Sequence, residues 1–324
     1  MEFRRAAGLV GVALLAMAAS TAIAQTAYPT RPIRIIVPSS AGGGTDILTR
    51  ILTPRFSERL GQSAIVDNRP GAGSIIGNDA VAKAPPDGYT LLMGISTLAI
   101  LPSMHKKLPY DAQRDLAPIT ETISAPNILV VHPSLPVRSV KELVAFARER
   151  PGQLNFASAG LGTNPHLSME LFLSMTRLKM VHIAYKGSAP AMIDLLSGNV
   201  VVMTSTMLAG LPHVRTGRLR GLAVTGTKHS AVLPDLPTVA EAGVPGYEAV
   251  QWYGLFAPPQ TPKEIIAKLH TAMAGVLHSP EIQKKFAGDG AETVGNSPEE
   301  FAQFLKSETV KWGKVVRSAG IKPQ

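Results

Sequence analysis

The sequence predicts an α/β protein of two domains. Three observations lead there. Short β-branched runs alternate with helical patterns along most of the chain. An export leader, once removed, leaves 300 of 324 residues, enough for two cores of ordinary size. Strand-to-helix turns rich in glycine and small hydroxyl residues recur in the two halves.

The leader comes first. Arg4 and Arg5 form a basic start, Ala6 to Ala19 an uncharged apolar stretch, and Ala22 and Ala24 the small-x-small arrangement that a signal peptidase accepts, which predicts cleavage after Ala24. The stretch is weakly apolar and only just long enough for a membrane span, so it reads as a leader rather than an anchor. The mature chain is therefore expected to be exported. It contains no cysteine, so neither disulfides nor a lipid-modified thiol are available to it. Loss of Glu2, Arg4 and Arg5 takes the formal charge from +9 to +8, which favours encounter with anions, while nucleic acid is the wrong partner for an exported protein.

Strands are expected at Ile33 to Val37, Ala64 to Val66, Tyr89 to Met93, Ile128 to Val131, Leu154 to Ala157, Val181 to Ile183, Val200 to Met203, Gly221 to Val224 and Tyr253 to Ala257. Most are continuous apolar runs, as in parallel strands buried on both faces. Capping boxes at Ser139 with Glu142, Thr261 with Glu264 and Ser297 with Glu300 mark helix starts. The last opens an amphipathic helix from Pro298 to about Ala319. Pro54 predicts a kink or short break in the helix that follows Thr45.

The first candidate site is the turn from Val37 to Asp46, where Ser39, Ser40, Gly43, Gly44, Thr45 and Asp46 surround a helix start. Open amide groups and the positive end of the helix dipole make such a turn an anion seat. It lacks the Lys-Ser/Thr ending of a P-loop and the spacing of a dinucleotide fingerprint. The second is the turn from Phe156 to His166, where Ser158, Gly162, Thr163 and Asn164 offer neutral donors suited to a carboxylate. His166 reads either as a packing residue or as a ligand group. A third strand-to-helix turn carries Tyr185 and Lys186, the one cation near a seat. Gly71 to Gly77 follows G-x-G-x-x-x-G and reads as a structural turn with a helix start. No nucleophile elbow, no H-E-x-x-H and no close histidine pair occurs, so the sequence offers no catalytic residue, metal site or cofactor.

From Tyr28 onward the chain resembles the Bug, or tripartite tricarboxylate transporter, receptors, which are periplasmic solute-binding proteins. The resemblance rests on Ile35-Ile36-Val37-Pro38 with Ala41 to Asp46, Asp67 to Gly73, Asp87 to Leu92, Ala157 to Gly160 with Gly162-Thr163, Tyr185-Lys186-Gly187, Leu233 to Gly243 and Trp252-Tyr253-Gly254, in that order and spacing. It implies a two-lobed Venus-flytrap of the type II periplasmic-binding-protein fold, each lobe a mixed sheet flanked by helices. Two hinge crossings, near Asn127 and Val250, would divide 25–127 plus 250–324 from an inserted 128–249. It implies a monomeric receptor, not an enzyme, that holds a di- or tricarboxylate, an acidic amino acid or an aromatic acid between the lobes and delivers it to membrane permease subunits. A ligand-presenting partner for a sensor kinase and a periplasmic hydrolase are the rival readings. Two positions depart from the family: Asn199 to Thr204 lacks its usual aspartate, and Ser39 replaces an aromatic residue. Asp46 either caps its helix beside a plain di- or tricarboxylate or accepts the amino group of an acidic amino acid.

Overall fold

The computed structural model describes residues 28–318 and 320–323, so the leader expected over residues 1–24 lies outside the described residues. The chain begins β1 (Ile33–Val37), α1 (Gly44–Leu60), β2 (Ala64–Asn68), α2 (Ile75–Ala82), β3 (Thr90–Ile95), α3 (Thr97–Met104) and the long β4 (Ala117–Val131). It continues through α4 (Val140–Arg148), β5 (Asn155–Ser158), α5 (Asn164–Thr176), β6 (Val181–Ala184), α6 (Ser188–Leu196), β7 (Val202–Thr206), α7 (Met207–Arg215) and β8 (Arg220–Val224). It returns as β9 (Val250–Ala257), α8 (Lys263–Leu277), α9 (Pro280–Gly288), β10 (Glu292–Thr293) and α10 (Pro298–Ser318).

The strands form a curled mixed sheet in the order β2-β1-β3-β9-β4-β7-β5-β6, with β8 and β10 also paired to β4. Strands β1, β2 and β3 are parallel, as are β5, β6 and β7, and each set is tied to the middle of the sheet by antiparallel pairing. Burial explains the composition: in β1 only Arg34 is exposed, and all five residues of β7 are buried. The first part of β4 pairs with β9 up to Pro126 opposite Val250, and from Asn127 onward it pairs with β7 and β8.

Helix ends follow local chemistry. Ser139 accepts from the Glu142 amide and the Arg138 amide donates back to the Glu142 carboxylate, while Ser297 and Glu300 bond reciprocally. The expected box at Thr261 does not form: α8 starts at Lys263 with Pro262 as its cap, and the Thr261 hydroxyl donates to the Pro258 carbonyl instead. Helix α1 runs through Pro54 without a break. Pro54 lies on the exposed face, where water can satisfy the carbonyl left unpaired one turn earlier.

Helix α10 buries Phe301, Leu305, Trp312 and Val316, and Phe301 packs edge-on against Trp252 of β9. Glu308 on the same stripe is only 6% exposed, and one of its oxygens accepts from both the Trp252 and Trp312 indoles, at 3.1 and 2.8 Å. Glu121 of β4, 5% exposed, has its carboxyl pushed up to about 8 by burial and then by the nearby Glu308 charge. A carboxyl raised in the folded state stabilises most below its ordinary range, and that contribution falls as pH rises towards 8 and is gone above it. Glu121→Gln is therefore expected to gain on the wild type in melting temperature between pH 5 and pH 9, and parallel curves would remove Glu121 from the account.

Candidate functional site

A cavity of about 330 Å³ opens where the turns after β1, β5 and β6 meet the end of β7 and the start of β9. Four helices begin at its wall: α1 through Gly44 and Thr45, α5 through Thr163, Asn164 and Pro165, α6 through Gly187 and Ser188, and α7 through Thr206. None of these four starts has a side-chain cap. Their first-turn amides lack partners within their own helices, and the positive dipole ends face one enclosed space. Among the lining residues are Lys186 and His105 but no aspartate or glutamate. Pro38, Ile95, Leu161 and Pro165 supply apolar wall. The chemistry of such a space suits a small anion with a short carbon skeleton.

Of the residues singled out from the sequence, Ser39, Gly44, Thr45, Thr163, Asn164, Tyr185 and Lys186 line this cavity, whereas Ser40, Gly43, Asp46, Ser158 and Gly162 do not. Those five shape the turns from behind. The Ser40 carbonyl accepts from the Gly43 amide, and Asp46 accepts from the Gly42 amide and from Arg50 Nε, both at 2.9 Å. Burial would raise the Asp46 carboxyl, but Arg50, the Gly42 amide and Asn68 together outweigh it and hold the group below its ordinary range. Asp46 is thus a charged brace for the glycine turn. Asn199 to Thr204 stay outside the lining, so of the two departures only Ser39 faces the cavity.

The second turn is braced by histidines. Ser158 is bonded to His182 Nε2 at 2.6 Å and accepts from the Gly160 amide, while the Gly162 amide donates to His166 Nδ1 at 3.2 Å. His166 and His182 stack with centroids 4.2 Å apart, and Phe156 covers the other face of His182. Burial, then the neighbouring His166, depresses His182 to about 4, so it is neutral at ordinary pH. Tyr185 lines the cavity but spends its hydroxyl on Asp194, at 2.6 Å.

Sequence reasoning missed the Pro70–Ser74 wall, Thr206, Gln251 and Tyr253, all of which line the cavity. Gly71 to Gly77 contains the expected turn and helix start, yet it is more than structural. Gly71, Ala72, Gly73 and Ser74 all have positive φ, at 132, 46, 62 and 89°, and the segment presses on the second turn. A methyl group on Gly73 would lie 2.5 Å from the Leu161 carbonyl oxygen, so nothing larger than glycine fits. Backbone strain of this kind concentrates at functional sites. The G-x-G spacing was a signal for a close approach, but nothing in it said to what.

The model of the tripartite tricarboxylate transporter family receptor matches residues 48–321. Three solved structures are similar over nearly the whole chain. Rpa4515 of R. palustris, solved with adipate, is 40% identical with a TM-score of 0.89, covering 92% of this chain and 100% of its own. The periplasmic binding protein BugD is 33% identical with a TM-score of 0.89, covering 92% and 100%. MatC of Rhodopseudomonas palustris, solved with bound malate, is 29% identical with a TM-score of 0.85, covering 89% and 100%. The fold is accordingly that of the Bug-type periplasmic binding proteins, and a solute-binding role accounts for a cavity walled by helix starts. Among the described residues no group of three metal-ligating side chains comes together.

Because Asp46 grips Arg50 and Gly42 behind the wall, Asp46→Asn is expected to lower the melting temperature and to weaken succinate and aspartate by similar factors in calorimetric titration. A loss confined to aspartate would put the carboxylate in the site after all.

Proposed function

This chain belongs to the tripartite tricarboxylate transporter receptor family, and from that premise we propose that it captures a small carboxylate, linear dicarboxylates first among them, and passes it to a membrane permease. The observation that carries the ligand class is the convergence of four uncapped helix starts on a cavity without an acidic side chain. Adipate and malate in two related structures support it. Ser39, Gly44, Thr45, Thr163, Asn164, Tyr185 and Lys186 touch the ligand in this reading, with Ser40, Gly43, Asp46, Ser158 and Gly162 holding the turns in shape.

Capture works by closure of two lobes, 25–127 plus 250–324 on one side and 128–249 on the other. The exchange of partners along β4 between Pro126 and Asn127, directly opposite the start of β9, supports crossings at those points. Across the cavity Gly73 meets Leu161 and Gly187 meets Ser40, contacts that join the two sides. A ligand bonded to α1 on one side and to α5, α6 and α7 on the other favours the closed arrangement because it contacts both at once. The basic, apolar and small-residue pattern of the first 24 residues supports export to the periplasm and cleavage after Ala24, and a monomer suffices for the site.

A ligand at one hundred times its dissociation constant adds about 2.7 kcal/mol to native stability, which raises the melting temperature by several degrees. A thermal-shift series on the mature protein with adipate, malate, citrate, aspartate and benzoate is expected to single out one or two acids. Shifts with sugars or amines and none with any acid would sink the carboxylate reading.

A further inference from the structure

Thr206 ends β7 and stands at the cap of α7, yet its hydroxyl does not cap that helix. A threonine at this position ordinarily accepts from an amide of the first turn. Here Oγ1 is buried with no hydrogen-bond partner, although the residue is only 7% exposed and forms part of the cavity wall. Its neighbour is the fully buried phenol of Tyr253, directed at Thr206 without reaching full hydrogen-bond geometry. Both hydroxyls face the first residue of α1: a methyl group on Gly44 would lie 2.8 Å from Thr206 Oγ1 and 3.3 Å from Tyr253 Oη. Glycine is needed there because the hydroxyl pair occupies the space where a side chain would go. Burial pushes the Tyr253 phenol up, so it keeps its proton and serves as a donor. A buried hydroxyl left without a partner is costly, and a ligand acceptor entering the cavity removes that cost.

We propose that Tyr253 and Thr206 form a third seat on the cavity floor, a hydroxyl relay in which the phenol donates to Thr206 and Thr206 donates to a carboxylate oxygen of the ligand held on the first turn of α1. The proposal rests on the carboxylate reading and extends it to two residues outside the turns after β1, β5 and β6. It makes Thr206 a specificity-determining residue that links β7 and α7 to the ligand. The relay also explains how a carboxylate is held at this end of the cavity without a cation, since each hydroxyl passes its donor capacity inward.

The test is calorimetric titration of the mature wild type, Thr206→Val, Thr206→Ser, Tyr253→Phe and the Thr206→Val/Tyr253→Phe double variant with adipate, malate and citrate. One hydrogen bond to a charged acceptor is worth about tenfold in affinity, so Thr206→Val should bind about tenfold more weakly, while Thr206→Ser stays close to wild type. Tyr253→Phe should lose less, and the double variant should be no weaker than Thr206→Val alone, because the phenol acts only through the threonine. Wild-type affinity in Thr206→Val overturns the proposal, as does a Thr206→Ser variant as weak as Thr206→Val or strictly additive losses in the double variant. If Thr206→Val melts well below the wild type without ligand, the Thr206→Ser and Tyr253→Phe comparison decides by the same criteria. Failure of the wild type to bind these three acids and also the aspartate and benzoate of the thermal-shift series overturns the carboxylate reading, and the relay with it, and is seen before any variant is measured.

Discussion

The fold turns on the point where β4 changes partners. Asn127, fully buried, is bonded to Thr225 through both its backbone groups: its amide donates to Thr225 Oγ1 at 2.7 Å and its carbonyl accepts from the Thr225 amide at 2.9 Å. Its side-chain amide donates to Asn164 at 2.6 Å, and Asn164 in turn donates to the Val250 carbonyl at 2.9 Å. Four separated stretches of chain, β4, the residue after β8, the start of α5 and the start of β9, are thereby fixed in one neutral network. A network of this kind specifies position more sharply than apolar packing does, even with Asn127 Oδ1 left without a partner. The α5 start, which walls the cavity, takes its place from this network.

Around that fixed point the site is made almost wholly of neutral donors. Burying an unpaired cation would cost several kcal/mol, on the order of what a good ion pair returns, so a pocket of amides and hydroxyls avoids both the penalty and the dependence on perfect pairing. Beyond Lys186 and His105 on the wall, charged and titratable groups stand one layer back. Asp46 ties down the first turn through Gly42, and the neutral His182 with His166 ties down the second through Ser158 and Gly162. The same economy governs the first turns of α1, α5, α6 and α7, whose starts carry no side-chain cap and leave their amides open towards the cavity.

Much of this was legible in the chain. Strands such as β1 and β7 are continuous apolar or β-branched runs, and the glycine and hydroxyl turns that follow several of them announce helix starts. The first half of β4 was not legible, because Pro118 and Pro126 interrupt a strand pattern that Thr120, Glu121 and Thr122 make polar. The structure accommodates them by register shifts near Pro118 and by placing Pro126 where the partner changes. The Gly71–Ser74 wall was hidden for a different reason: Ala72 and Ser74 adopt positive φ, which neither residue type advertises. Thr206 carried no local signal and Tyr253 only its place in the Trp252-Tyr253-Gly254 run, since what distinguishes the pair is the proximity of Gly44, 162 residues before Thr206 in the chain.

The pairing of Trp252 and Trp312 on one oxygen of Glu308 also fixes what the protein's own light reports. These are the chain's two tryptophans, both almost completely buried, and they share a single carboxylate. Their emission therefore registers the seam between β9 and the C-terminal helix rather than the polarity of the cavity. A fluorescence trace of unfolding follows the undocking of α10, and a chain shortened before Glu308 loses Trp312 outright and leaves the Trp252 indole without its acceptor, so the whole spectrum shifts in one step.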